Sequence, residues 1–255
     1  MPSLEVPGGR IAYDVAGEGD TVLFISGLGG MAGFWSAQVA AFSPSFRVLT
    51  FDHRGVARST GAPPYSVAQW ADDVLALLDH AGVERVHLVG HSTGGIIGQQ
   101  FAIAHAKRLY SLTLCGTWLR PDARFRELFA LRKRVLTEFG GDAYRMLGEL
   151  LAAPEFFQVP PATSMTPEQR DVVLGRIDAL LAFDGSAIAP RITTPAFVVG
   201  ADDDYIVPGH HSDEVAKAIP GAKLLRFPGG GHFFPKSRAI DYNKALADFW
   251  AETGR

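Results

Sequence analysis

The chain has 255 residues, 47% of them hydrophobic, which is enough for one large core or for a core domain that carries a lid. Its formal net charge of −3 argues against nucleic acid or an anionic membrane as a partner. The single cysteine, Cys115, excludes an intramolecular disulfide bond. No segment approaches the ~20 apolar residues of a membrane span and no signal sequence is evident, so we expect a cytoplasmic protein.

The predicted elements begin with a hairpin and continue as alternating strands and helices. Residues 4–6 and 11–15 flank the turn Pro7-Gly8-Gly9 and are predicted to pair. The compact apolar runs that follow are typical of buried parallel strands, and they cover residues 21–25, 47–51, 86–89, 111–115, 196–200 and 223–227. The clearest helix begins at Ser66, where Ser66-Val67-Ala68-Gln69 predicts a capping box. This alternation predicts a parallel sheet that binds ligands at the carboxyl ends of its strands.

Between residues 119 and 189 the strand pattern stops and helical patterns replace it. The first predicted helix places apolar residues on one side, namely Phe125, Leu128, Phe129, Val135, Leu136 and Phe139. Thr166-Pro167-Glu168-Gln169 predicts the start of a second helix. We expect residues 119–189 to form a helical cap over the active site, inserted into a core domain of residues 1–118 and 190–255. The alternative is a helical excursion packed beside the sheet.

The segment Gly90-His91-Ser92-Thr93-Gly94 lies between a predicted strand and a predicted helix. G-x-S-x-G in this setting is typical of a nucleophile elbow, a sharp turn that presents a serine hydroxyl. Glycines on both sides permit the strained backbone that such a turn needs. The segment therefore predicts Ser92 as a nucleophile, and the alternative is a serine that only caps the helix.

A serine hydroxyl is a poor nucleophile until a base accepts its proton, and two later segments offer the partners. His232 follows three glycines after the predicted strand 223–227. Three consecutive aspartates, Asp202, Asp203 and Asp204, follow the predicted strand 196–200. We expect His232 to act as general base and one of the aspartates to orient its ring, and composition does not decide which.

The order serine, aspartate, histidine, each after a predicted strand, is that of α/β hydrolases, and the chain resembles this superfamily over nearly its whole length. The resemblance implies an α/β-hydrolase fold, a mostly parallel eight-stranded sheet flanked by helices with an inserted helical cap. Three segments resemble the 3-oxoadipate enol-lactonases and the aminoacrylate hydrolases of pyrimidine degradation: Ile25-Ser26-Gly27-Leu28-Gly29-Gly30, Phe51-Asp52-His53-Arg54-Gly55 and Tyr65-Ser66-Val67-Ala68-Gln69.

The resemblance also implies roles for individual residues. The family spacing Gly-x-x-Asp, counted from Gly200, selects Asp203 as the triad acid, with Asp204 as the alternative and Asp202 as a solvated loop residue. The oxyanion hole is expected to use the backbone N–H groups of Thr93 and Leu28. Family members commonly have His-Gly-x where this chain has Ser26-Gly27-Leu28, so no histidine ring contributes from that position.

Several other side chains are candidates for substrate contact or for purely structural roles. Arg54 could meet a substrate carboxylate, although bracing of a loop by an ion pair is the favoured reading. The aromatic candidates for the pocket are Trp35, Phe129, Phe156, Phe157 and Phe233. His91 is expected to support the turn from its buried flank. The arginines of the first cap helix are expected to be solvated, with attraction of an acidic substrate as the alternative: Arg120, Arg124, Arg126, Arg132 and Arg134.

These observations predict a cofactor-free serine hydrolase that cleaves a small-molecule ester, lactone or amide-like bond through an acyl-enzyme. No metal-ligand spacing is evident, so we expect no metal, no cofactor and no partner beyond a small-molecule substrate. Haloalkane dehalogenases and epoxide hydrolases of this fold are excluded because they use aspartate where Ser92 stands. The alternatives are a slow-turnover ligand receptor and a perhydrolase or cofactor-free haloperoxidase.

Overall fold

The computed structural model describes residues 2–152, 157, 159–160 and 164–253. In these ranges, one sheet of eight strands has the order β1-β2-β4-β3-β5-β6-β7-β8. The strands are β1 (Ser3–Val6), β2 (Gly9–Ala16), β3 (Thr21–Ile25), β4 (Arg47–Phe51), β5 (Val86–His91), β6 (Leu109–Cys115), β7 (Ala196–Ala201) and β8 (Lys223–Phe227). β2 runs antiparallel to both β1 and β4, and the remaining neighbours are parallel. The predicted mostly parallel, eight-stranded fold class is confirmed.

Helices cover both faces of the sheet: α1 (Ser36–Phe42), α2 (Val67–His80), α3 (Thr93–Ala104), α4 (Ala123–Leu150), α5 (Pro167–Ala182), α6 (Gly209–Ala218), α7 (Phe234–Ser237) and α8 (Ala239–Glu252). Thr166 and Gln169 form the full capping box of α5. At α2 only half of the predicted box forms. Ser66 accepts the Gln69 N–H at 3.1 Å, but among the described residues the Gln69 side-chain oxygen has no partner.

The core consists of two apolar layers, one on each face of the sheet. Leu88 of β5 packs into the layer beneath α2 and α3, together with Trp70 and Phe101. The next residue, Val89, faces the opposite layer, which includes Trp250 of α8. Because successive strand residues point to opposite faces, an apolar run such as 86–89 is buried on both sides.

Helices α4 and α5 lie between β6 and β7 in the chain, as the helical patterns predict. α4 bends at Gly140, whose φ of 86° is a conformation that glycine adopts readily. Phe125, Phe129 and Leu136 are buried, whereas Phe139 next to the bend is 71% exposed, so its predicted place on the buried side is wrong. None of the described helices combines the length and the hydrophobicity of a membrane-spanning segment. The domain division and the cytoplasmic location stay predictions.

A buried ion pair joins the loop after β4 to α2 and to the opening hairpin. Arg54 donates through Nε to Asp73 at 3.0 Å, and a second bond of the pair forms through its NH2 group. Its NH1 group donates to the Pro7 carbonyl at 2.7 Å, in the turn between β1 and β2. The guanidinium is therefore fully engaged within the protein interior. Arg54 braces the loop, and its candidacy as a substrate-binding residue is wrong.

Removing one partner of this pair is expected to destabilise the fold strongly. Asp73→Ala leaves the Arg54 guanidinium buried without its carboxylate, which costs about 3–5 kcal/mol in comparable sites. Urea unfolding of Asp73→Ala should show this loss in the free energy of unfolding. Asp72→Ala, at the exposed neighbouring position, is the control and should change that free energy by less than about 0.5 kcal/mol. Equal stability of the two variants would contradict the role given to the pair.

Candidate active site

Ser92 lies in a strained turn between β5 and α3. Its φ of 55° and ψ of −116° fall in a region that non-glycine residues rarely adopt. The flanking glycines are required by close packing: a Cβ on Gly90 would lie 2.2 Å from the Gly94 carbonyl oxygen, and one on Gly94 would lie 2.2 Å from that of Ile25. The turn therefore brings the start of α3 against the end of β3, with Ser92 at its tip.

Besides the Gly95 N–H, which donates to the Ser92 carbonyl at 2.9 Å, two hydrogen bonds from outside the turn hold the Ser92 backbone. Its N–H donates to the Cys115 carbonyl at 2.8 Å, at the end of the neighbouring strand β6. Its own carbonyl accepts from the Thr117 hydroxyl at 2.8 Å. The backbone of Ser92 is thus fixed from the adjacent strand, and the side chain is left to border a pocket.

The His232 ring is bonded to Asp204, and both side chains are buried. Nδ1 of His232 lies 2.7 Å from Oδ2 of Asp204, and a carboxylate oxygen only accepts, so we place the proton on Nδ1. The other oxygen of Asp204 accepts the N–H groups of Ile206 and Val207, both at 2.8 Å. This arrangement leaves Nε2 of His232 as the ring nitrogen that can act as a base.

The assignment of Asp203 as the partner of His232 is wrong. β7 continues to Ala201, where it pairs with Phe227, so the acid position lies one residue later than a count from Gly200 suggests. Asp203 instead accepts the N–H groups of Gly230 and Gly231, at 3.0 and 2.8 Å, and so supports the loop that carries His232. Asp202 is exposed and pairs with Arg226, as expected of a solvated loop residue.

Ser92 and His232 border the same pocket without a direct hydrogen bond between their side chains. Such bonds are often long before substrate binds and tighten in the complex. His91, the residue before Ser92, holds the His232 loop close to the serine turn. Its Nε2 donates to the His232 carbonyl at 2.8 Å, and its ring centroid lies 4.7 Å from that of His232. Burial lowers the pKa of His91 well below its usual value, so it acts here as a neutral donor.

The loop after β3 lies directly against the serine. A Cβ placed on Gly27 would be 3.1 Å from the Cβ of Ser92. Among the described residues, no hydrogen bond occupies the backbone N–H of Leu28 or that of Thr93, the first residue of α3. Both N–H groups are therefore available to an oxygen at this place, as the predicted oxyanion hole requires. The Ser26 hydroxyl lies 3.4 Å from Nε2 of His53.

The pocket beside Ser92 has a volume of about 790 Å³, which suits a small molecule. Phe129 and Phe233 line it, as expected. Trp35 does not: it packs in the core against Phe24, with ring centroids 4.8 Å apart, and Phe34 lines the pocket instead. The two residues lie in a short 3₁₀-helix (Ala32–Trp35), in which successive side chains point about 120° apart. Phe157 is exposed, and Phe156 lies outside the described residues.

Polar side chains of α4 and α7 also line the pocket, and two of them, Tyr144 and Lys236, are not indicated by the sequence pattern. Arg132 is only 9% exposed, donates to the Tyr144 hydroxyl at 3.0 Å and lies over the rings of Phe129 and Tyr144. Its Nε has no partner, and no carboxylate lies within 4 Å of it in the described part of the chain. Lys236, beside the Phe34 ring, likewise forms no ion pair there. The expectation of a solvated Arg132 is wrong, because the helix packs that face towards the core.

One group outside this pocket has the donor set of a metal site. Single ligand atoms of Asp122, His210 and His211 lie within 4.8 Å of one another. Asp122 already accepts the Phe125 N–H at 2.7 Å and faces Nε2 of His210 at 2.9 Å. His211 is buried, and among the described residues neither of its ring nitrogens has a hydrogen-bond partner; its Nε2 lies 3.4 Å from Asp122. Asp122 precedes His210 by 88 residues in the chain, so no local sequence pattern indicates this cluster.

The buried thiol of Cys115 is not part of the candidate site. Its Sγ contacts the Tyr242 hydroxyl at 2.8 Å, and burial raises the pKa of the thiol to about 12. A protonated thiol in the core is a weak nucleophile. The prediction that Cys115 is an inert core residue agrees with this position.

The fold and the arrangement of strand, serine turn and helix define a hydrolase of the α/β type. A comparison with known families agrees, because the family described as having the alpha/beta hydrolase fold matches residues 20–238. This span covers well over half of the chain, which therefore belongs to the alpha/beta hydrolase family.

Individual relatives match over almost the entire chain. A protein of Azorhizobium caulinodans named as the carbamate hydrolase RutD is 34% identical over 262 residues, covering 99% of this chain and 99% of the relative. The RutD of Caulobacter vibrioides is 35% identical and covers 96% of this chain and 93% of the relative. The crystal structure of the enol-lactonase from Burkholderia xenovorans LB400 superimposes with a TM-score of 0.86 at 27% identity, covering 98% of this chain and all of the other. The resemblance inferred from the sequence is confirmed, and the protein is a hydrolase.

Asparagine substitutions distinguish the two neighbouring aspartates. Asp204→Asn removes the acceptor that holds Nδ1–H of His232 and is expected to lower kcat for a p-nitrophenyl ester by about 10³–10⁴-fold. Asp203→Asn, the matched control, changes only the support of the glycine loop and should lower kcat by less than about 10-fold. Stopped-flow measurement of p-nitrophenol release gives both values. The reverse order of the two effects would contradict the assignment of Asp204.

Proposed function

We propose that the protein is a serine hydrolase that cleaves a small ester, lactone or carbamate-type bond through an acyl-enzyme at Ser92, with residues 119–189 as a cap over the site. The observation that carries this proposal is the strained Ser92 turn, bordering the same pocket as a His232 ring that is bonded to Asp204. Strain of this kind persists where the surrounding structure enforces it, and it is characteristic of functional sites.

In the first step the Ser92 oxygen attacks the substrate carbonyl carbon while its proton passes to Nε2 of His232. The resulting imidazolium is stabilised by Asp204, which also keeps the ring in the required orientation. His232 then returns the proton to the leaving oxygen or nitrogen as the tetrahedral intermediate collapses. This sequence yields the acyl-enzyme and the first product.

In the second step water attacks the acyl-enzyme, its proton passes to His232, and the Ser92 oxygen leaves and takes up that proton. Both steps create a negative charge on the former carbonyl oxygen. The N–H groups of Leu28 and Thr93 supply donors for this oxygen, and the positive end of the α3 dipole adds to them. Removal of one donor of this kind typically costs about 3 kcal/mol of transition-state stabilisation.

The pocket favours a substrate with a negatively charged end. Among its charged lining groups, Arg58 is paired with Asp14 and Asp52. Arg132 and Lys236 retain no carboxylate partner in the described ranges, and the lining has one further acidic side chain, Glu149, so positive charge is in excess. A buried guanidinium without a carboxylate is costly unless a ligand supplies the charge. The relatives' names, carbamate hydrolase and enol-lactonase, agree with a small polar carbonyl compound as substrate.

Substitution of the nucleophile tests the proposed function directly. Ser92→Ala is expected to lower kcat for p-nitrophenyl butyrate by more than about 10⁴-fold, because no acyl-enzyme can form. Mass spectrometry of the wild-type protein quenched during turnover should show an acyl adduct on the peptide that contains Ser92. Turnover that survives in Ser92→Ala would refute the proposal. A single burst without further turnover would favour a receptor, and peroxide-dependent oxidation would favour a haloperoxidase.

Arg132 is expected to select for a negative charge on the substrate. Arg132→Met should raise KM for p-nitrophenyl hemisuccinate by about 10–100-fold, the range expected for one hydrogen bond to a charged group. KM for the uncharged p-nitrophenyl butyrate should change by less than about 3-fold. Arg134→Met is the matched control, since Arg134 is exposed and pairs with Glu138 at 3.3 Å. Equal changes for both esters would exclude charge selection by Arg132.

A further inference from the structure

Arg176 of α5 is fully buried at the contact between this cap helix and the core. Its guanidinium lies over the Trp70 ring, 4.8 Å from the ring centroid. In the described part of the chain it has no carboxylate partner, and its NH1 group has no hydrogen-bond partner. Burial lowers the pKa of Arg176 to about 10, so the group remains charged at neutral pH. A buried, unpaired cation requires strong polar contacts to offset its desolvation.

Those contacts are made to the loop that lies against Ser92. Nε of Arg176 donates to the Leu28 carbonyl at 2.9 Å, and NH2 makes a longer bond of 3.4 Å to the Gly27 carbonyl. The Gly27 carbonyl also accepts the Gly30 N–H at 3.0 Å. Two successive carbonyl groups of the loop are thus held by one guanidinium.

His53 completes this arrangement. Its Nδ1 lies 2.8 Å from NH2 of Arg176, and since a guanidinium only donates, Nδ1 accepts and the ring proton lies on Nε2, facing Ser26. Burial, with the positive charge of Arg176 as a further cause, lowers the pKa of His53 well below its usual value. The backbone N–H of His53 donates to the Gly30 carbonyl at 2.7 Å. The loop is therefore held at both ends.

We propose that Arg176 is a positioning residue for the oxyanion hole, which aims the Leu28 N–H at the oxygen of the tetrahedral intermediate. The proposal rests on the serine hydrolase function proposed above. The Gly27 carbonyl and the Leu28 N–H belong to one trans peptide group and point in opposite directions. Arg176 and Gly30 hold the carbonyl on one side, which directs the N–H to the other side.

A positive charge on the carbonyl has a second consequence. Hydrogen bonds in a chain polarise one another, so a guanidinium at the Gly27 oxygen makes the Leu28 N–H a stronger donor. The substrate oxygen that accepts from this N–H carries a full negative charge only in the tetrahedral intermediate. The contribution of Arg176 should therefore appear in kcat and in the affinity for tetrahedral analogues, and little in KM.

A purely structural tether between cap and core is the competing explanation, and the chain provides a matched control for it. Arg124 of α4 also donates from the cap to a core carbonyl, that of Tyr205, at 2.6 Å. It does not touch the loop of residues 26–30. If tethering alone matters, Arg124→Gln and Arg176→Gln should resemble each other in kinetics.

The experiment compares wild type, Arg176→Gln and Arg124→Gln with p-nitrophenyl butyrate and with butylboronic acid, which forms a tetrahedral adduct with an active-site serine. For Arg176→Gln we expect kcat to fall by about 10–100-fold, part of the effect of losing a complete oxyanion donor. The inhibition constant of the boronic acid should rise by a similar factor, whereas KM should change by less than about 3-fold. Arg124→Gln should leave all three values within about 3-fold of wild type.

A wild-type kcat in Arg176→Gln, or a change in KM without a change in kcat, would overturn the role proposed for Arg176 but not the proposed function. Equal losses in both arginine variants would do the same, in favour of a tether. If circular dichroism shows that Arg176→Gln does not fold, Arg176→Lys replaces it, because lysine keeps the charge but cannot bond both carbonyls, and kcat and boronate affinity should again fall together. A wild-type protein without Ser92-dependent turnover or boronate adduct would instead refute the proposed function itself.

Discussion

The strained turn at Ser92 is the constraint on which the rest of the site depends. Its backbone has a conformation that is unfavourable for serine. Hydrogen bonds with the Cys115 carbonyl and the Thr117 hydroxyl, and the close packing of the flanking glycines, maintain this conformation. The same turn determines where the serine hydroxyl lies and where α3 begins. Relaxation of the turn would therefore displace Ser92, the proposed nucleophile, together with the Thr93 N–H.

The other loops at this edge of the sheet are held by polar side chains that bond to the backbone of a neighbouring loop. Asp203 holds the glycines before His232, His91 holds the His232 carbonyl, and Arg176 holds the carbonyls of the loop after β3. Each of these bonds joins residues remote in sequence. The geometry at the serine is thus supported by a surrounding layer of groups, as preorganised sites require.

Helices α4 and α5, which we propose as the cap, contribute buried positive charge to the site. Arg132 and Arg176 are both buried without carboxylates among the described residues, an arrangement that weakens a protein unless hydrogen bonds or a ligand offset the desolvation. Arg176 finds backbone carbonyls, whereas Arg132 has the Tyr144 hydroxyl and an unpartnered Nε beside the pocket. We relate this difference to their proposed roles, loop positioning for Arg176 and substrate selection for Arg132.

The sequence by itself determined the strands, the turn at Ser92 and the loop of His232, because apolar periodicity and glycine spacing act over a few residues. The tertiary structure decided which residue contacts His232, which aromatic residue lines the pocket and which arginines are buried. These features depend on where a strand ends and on how a helix packs. Because β7 is one residue longer than predicted, Asp204 and not Asp203 is the partner of His232. A 3₁₀-helix places Phe34 in the pocket instead of Trp35. The burial of Arg132 and Arg176 follows from contacts between segments far apart in the chain, which local patterns do not encode.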